Sequence, residues 1–126
     1  MPWHVSKSRF DALVEQALAE LPPQFATFLE EVPIEVLDRS TPALRHRAGT
    51  PPDMLLLGLY TGRPLTQRSV EHSGVLPDVI YLFKQDIEQA SHSEQDLIQQ
   101  VRKTVLHEIG HLFGLSEHDL DRLGYG

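Results

Sequence analysis

The chain has 126 residues and a formal net charge of -7, from 11 Lys and Arg against 18 Asp and Glu, with 40% hydrophobic residues and no cysteine. This length supports one hydrophobic core and is short for two, so residues 1–126 are expected to form a single domain. The acidic balance disfavours nucleic acid and anionic membranes as partners, and without cysteine neither disulfides nor thiolate chemistry is available.

The first residues, MPWHVSKSRF, lack an apolar stretch ending in a small-residue cleavage site. The longest apolar run, Met54 to Leu59, falls far below membrane-spanning length. The expectation is a cytoplasmic protein. Between Arg39 and Arg68 the only acid is Asp53, against Arg39, Arg45, Arg47, Arg63 and Arg68. That stretch either stays solvated or paired with the acidic remainder of the chain, or docks an anionic partner.

Phe10, Leu13, Val14, Ala17 and Leu18 recur at helical spacing with Glu15, Gln16 and Glu20 between them, predicting an amphipathic helix over roughly residues 7–20. Pro22 and Pro23 end it, and a second short helix buries Phe25, Phe28 and Leu29 before Pro33. The period then changes to two, with Val32, Ile34 and Val36 on one side and Glu35 between them, as in a half-buried strand. The segment DRSTPALRHRAGTPPD that follows is rich in proline, glycine and arginine, has no stable period and reads as a surface loop. Its length suits a lid or a binding segment and equally a disordered stretch.

MLLLGLY, residues 54–60, and VIYLF, residues 79–83, are continuous apolar runs of strand length. Between them, LTQRSVEHSGVLPD reads as a short strand or an irregular loop. The C-terminal third holds the strongest helix. Ser93 and Asp96 form a capping pair, Leu97, Ile98, Val101, Val105, Leu106, Ile109, Leu112 and Phe113 supply an apolar face, and Gly114 suits the C-cap. Ser116 with Asp119 opens a final short helix through Leu120 and Leu123. Together these elements predict an α/β (α+β) fold in which helices pack on one face of a small mixed sheet.

The sequence HEIGH, residues 107–111, lies inside the long helix. His107 and His111 are one turn apart, so both imidazoles can reach a single divalent ion, with zinc favoured. Glu108 points elsewhere around the helix but stays beside the site, where a general base belongs. The apolar side chains centre away from the histidines, whose near neighbours are Gln100, Lys103 and Thr104, so the pair is expected to flank a polar cleft. A catalytic zinc site usually has three protein ligands. Gly114 lets the chain turn back towards the ion, and Glu117 is the first carboxylate after that turn, with Asp119 and His118 as competitors. With 15 residues after His111 in this sequence, a distant glutamate ligand on a further long helix is not expected.

From RFDALVEQALAELP through VLDR, LLGLYTGRPLTQRS, LPDVIYLFKQDIE and VLHEIGHLFGLSEHDLDRLG, the chain resembles the small bacterial zincin-like metallopeptidases known as minimal zincins. The resemblance implies a compact α/β fold and one zinc ion per chain, held by His107, His111 and an acidic ligand at the position of Glu117. It also implies that Glu108 is the general base and that the reaction is hydrolysis of peptide or amide bonds. Two positions depart from the family's common pattern. Leu112 stands where relatives commonly carry histidine, and Glu117 stands in place of aspartate, which lengthens the ligand arm by one methylene.

Small size suggests a specialised peptide or protein substrate, or a protein partner that completes the cleft. Tyr60, Tyr81, Tyr125, His72 and Arg63 are candidates for stabilising an oxyanion, and the strand at residues 79–83 is the candidate for pairing with an extended substrate. The competing reading is a non-catalytic structural or regulatory metal-binding domain with a closed four-ligand site.

Overall fold

A computed structural model describes residues 4–62, 78–112 and 117–122. The elements run α1 (Lys7–Ala19), α2 (Pro23–Glu31), β1 (Ile34–Leu37), α3 (Pro42–Ala48), β2 (Gly58–Thr61), β3 (Val79–Phe83), α4 (Lys84–Gln89), α5 (Glu94–Leu112) and α6 (Glu117–Arg122). The result is an α+β fold with a mixed sheet and packed helices, as the residue pattern predicts.

Helix α1 begins where the Ser6 hydroxyl accepts from the amide of Arg9, satisfying one of the amides that a helix start leaves without a partner. Its buried face, Phe10, Leu13, Val14 and Ala17, packs against Leu97, Ile98, Val101 and Val105 of α5. The start of α5 is fixed by the expected pair: Asp96 N donates to Ser93 Oγ at 3.1 Å, and Asp96 Oδ2 accepts from His92 N at 2.9 Å. The carboxylate therefore reaches one residue further back than in the usual capping box. Phe25, Phe28 and Leu29 of α2 pack against the same core.

The sheet order is β1-β3-β2, with β1 parallel and β2 antiparallel to β3. Strand β3 is thus central, with Ile80, Leu82 and Phe83 fully buried. Both of its edges are taken, so the expectation that an extended substrate pairs with residues 79–83 is overturned. A run that is apolar at every position is the pattern of a strand covered on both faces.

Three segments differ from their sequence reading. The supposed loop at residues 38–53 contains α3, which has a Thr41 hydroxyl cap on Leu44 N, proline in its first turn and Gly49 in the left-handed conformation at its end. None of its residues is buried, which explains why hydrophobic periodicity does not mark it. In MLLLGLY only Gly58 onward is strand, and Met54 and Leu55 are 58% and 46% exposed. Helix α4 follows β3 with no intervening loop, a turn of direction the periodicity does not announce.

Helix α4 carries the buried charges that tie the chain before β2 to the core. Asp86 Oδ2 accepts from Leu56 N at 2.7 Å and from Arg45 Nη2 at 3.0 Å, while Arg45 Nη1 donates to the carbonyls of Pro51 and Met54. Lys84 Nζ lies 3.0 Å from Glu88 Oε2, which also accepts from Val5 N. Arg45 is therefore committed inside the molecule, and of the two readings of the arginine-rich stretch it follows pairing with the acidic remainder. Among the described residues no helix is long and apolar enough to cross a membrane.

Candidate metal centre

Helix α5 presents Lys103, His107 and His111 at successive turns. On its opposite side Val101, Val105, Ile109 and Leu112 are buried. Packing of that apolar stripe into the core shared with α1 and the sheet fixes the rotation of the helix, and with it the direction of the histidines. Leu112 is 1% exposed, so it contributes to the core and not to the polar face.

The imidazoles of His107 and His111 have ring centroids 5.1 Å apart at an interplanar angle of 73°. Two imidazoles bound to one tetrahedral ion through nitrogen, at about 2.1 Å each, have centroids roughly 5 Å apart. The separation fits, and so does the chemistry, because imidazole and carboxylate are nitrogen and oxygen donors suited to zinc. Glu108 Oε2 stands 3.9 Å from His111 Nδ1, and the Glu108 side chain is 14% exposed.

Glu108 is held by the sheet. Phe83 N donates to Leu57 O, and the register pairs Leu59 with Tyr81 and Thr61 with Val79. By the alternation of antiparallel pairing, Leu57, Leu59 and Thr61 turn their backbone groups to β3, while Gly58 and Tyr60 turn theirs outward. Tyr60 N uses that direction to donate to Glu108 Oε1 at 2.7 Å.

Gly58 allows the approach. A Cβ there would lie 2.5 Å from Thr104 Cγ2 and 2.9 Å from Tyr81 O, so only glycine lets β2 sit this close to α5. The resulting cleft of about 260 Å³ is lined by Leu57, Gly58, Gln100, Lys103, Thr104, His107 and Glu108. These include the three polar neighbours that the helical wheel places beside the histidines.

The zincin-like metallopeptidase family model matches residues 29–126. The chain belongs to that family. No curated protein matches it. Among solved structures, this zincin-like chain is similar to a conserved hypothetical protein from Thermo thermophilus at 23% identity and a TM-score of 0.52, over 84% of this chain and 92% of that one. That likeness speaks to the fold.

The three candidates for a third ligand, Glu117, His118 and Asp119, belong to α6, which packs against α5. Glu117 is the first residue of α6, and its side chain lies outside the described set, as do Gly114 and Ser116. Asp119 is half-buried and His118 exposed. Among the described residues no group of three His, Asp or Glu side chains gathers around one point. Of the oxyanion candidates, Tyr60 donates its hydroxyl to Asp78 Oδ1 at 2.8 Å and Tyr81 stacks on Phe83. Arg63, His72 and Tyr125 lie outside the described residues, as does the segment 65–77.

Residue types alone do not reveal the part played by the Tyr60 amide, since every non-proline residue carries one. The signal that was available is the glycine inside an otherwise apolar run, which marks a close backbone approach.

Proposed function

We propose that this chain is a zinc-dependent metallopeptidase that hydrolyses peptide or amide bonds, and that residues 1–126 act as one such domain. His107, His111 and Glu117 would hold the ion. The observation that carries the reading is the 5.1 Å separation of the two rings beside a carboxylate anchored by Tyr60 N. Family membership supports the same class of chemistry.

Zinc, when bound, supplies Lewis acidity, which acidifies a water and polarises a carbonyl. Glu108 accepts the proton on Oε2, the oxygen nearer His111, while Oε1 stays fixed by Tyr60 N, and then returns it to the departing amine. The outward backbone groups of Gly58 offer an extended peptide a place to pair, a role the central strand β3 cannot take. The cleft beside His107 and Glu108 supports an open site over a closed structural one.

The test is hydrolysis of a quenched-fluorescent peptide library by zinc-loaded protein, with Glu108→Gln as the comparison. Turnover that depends on both zinc and Glu108 supports the reading, and turnover retained by Glu108→Gln overturns the role of that residue.

A further inference from the structure

Apart from His107, the polar residues of the cleft divide into two sets. Thr104 Oγ1 donates to Gln100 O at 2.7 Å and Glu108 Oε1 accepts from Tyr60 N, so these groups are committed to the backbone. Half-buried Gln100 and exposed Lys103, three residues apart on α5, line the same cleft, and neither side chain makes a hydrogen bond or ion pair among the described residues. Apolar Leu57 and the bare backbone of Gly58 face them across the cleft. An ammonium and an amide N–H₂ carried three residues apart on one helix can both donate to one ligand, and a carboxylate matches such a cationic donor pair.

We propose that Lys103 and Gln100 bind a substrate carboxylate, so that the peptide cleaved beside Glu108 carries either an acidic side chain or a free C-terminus close to the reacting bond. This rests on the metallopeptidase reading. Lys103 lies four residues before His107, about 6 Å along the helix axis. An extended peptide advances about 3.3 Å per residue, which places the carboxylate within two or three residues of the cleaved bond. The chain carries net charge -7, so an anionic substrate is drawn to this cation locally and not to the surface as a whole.

The experiment measures the dissociation constants of peptides for zinc-loaded Glu108→Gln protein and their kcat/KM with the unsubstituted protein. Four versions of one peptide are compared: free C-terminus, C-terminal amide, amide with an internal Glu, and amide with Gln at that position. Binding is expected to favour a carboxylate about five- to tenfold over its neutral counterpart, and the preference should shrink with added salt. The first and third peptides distinguish a terminal from a side-chain carboxylate. Lys103→Met should remove the preference, Lys103→Arg should keep most of it, and Lys103→Glu should transfer it to a peptide bearing Lys at the same position.

Equal binding of acidic and neutral peptides, or a preference that survives Lys103→Met, overturns the proposal even if all four peptides are cleaved. A carboxylate preference in binding that depends on Lys103, without cleavage of any peptide, supports the carboxylate site and counts against the peptidase reading.

Discussion

The backbone amide of Tyr60 donates to Glu108 Oε1 at 2.7 Å, so an edge strand of the sheet, among the described residues, aims the carboxylate that lies beside two histidines of another element. Glutamine at 108 keeps a carbonyl oxygen for that amide while losing the ability to take a proton. Glu108→Gln is therefore expected to lower kcat about 10²- to 10⁴-fold with zinc stoichiometry and melting temperature retained. Glu108→Ala leaves a partly buried amide without its acceptor and should also cost about 1–3 kcal/mol of stability. Parallel kinetics, metal analysis and denaturant unfolding separate the two outcomes.

Gly58 sets the distance between β2 and α5. Gly58→Ala places a methyl against Thr104 Cγ2 and Tyr81 O and is expected to destabilise the fold by about 1–3 kcal/mol. Thr104→Ser in the same chain removes one of the two clashing groups and should recover part of the loss. Urea unfolding of the single and double variants checks this, and full stability of Gly58→Ala would show that β2 is not held this tightly.

Much of the fold is legible because it is written in apolar periodicity. Phe10, Leu13, Val14 and Ala17 mark α1, Leu97 to Leu112 mark α5, and the same wheel that buries Val101 and Val105 predicts the cleft beside Gln100, Lys103 and Thr104. Helix α3 is invisible to that signal because none of its apolar residues is buried, although Thr41, Pro42 and Gly49 state its start and stop. Strand order is a matter of tertiary pairing, and the position of β3 between β1 and β2 is hinted at only by its unbroken apolar run. His107, Glu108 and His111 are legible as a candidate site because their spacing puts the two imidazoles one helical turn apart with a carboxylate beside them. The Tyr60 amide is not, because a backbone group leaves no mark in the sequence.

Asp86 is the acceptor on which Arg45 and the Leu56 amide converge, with side-chain exposures of 18% for Arg45 and 11% for Asp86. Asp86→Ala strands a buried amide and a largely buried guanidinium, and is expected to cost about 3–5 kcal/mol. Asp11→Ala breaks only the exposed pair with Lys7 and should change stability little. Because the segment from Leu56 leads into β2, the Asp86 variant should also lose activity in the fraction that remains folded. Chemical unfolding with matched activity assays tests both expectations.

The exposed pair between Arg9 and Glu94 ties α1 to the first turn of α5, with Arg9 Nε donating to Glu94 Oε2 at 2.9 Å. The hydrogen bonds from Arg9 hold the Glu94 carboxyl below its ordinary range, and the same pairing raises Arg9 further. A carboxyl whose folded pKa is lowered stabilises the fold above the ordinary glutamate range, and that contribution fades as pH falls below it. The raised Arg9 guanidinium stays charged throughout. Glu94→Gln should therefore lower the melting temperature slightly at neutral pH, and the difference from the unsubstituted protein should close below about pH 4. A difference that persists unchanged into acid would show that the pair is not its source.

A zinc-loaded crystal measured across the zinc absorption edge tests the central claim most directly. One anomalous peak per chain is expected, about 2.0–2.2 Å from a nitrogen of His107, a nitrogen of His111 and a carboxylate oxygen of Glu117. A well-ordered structure grown in ample zinc, with the two imidazoles turned apart and no peak between them, would contradict it.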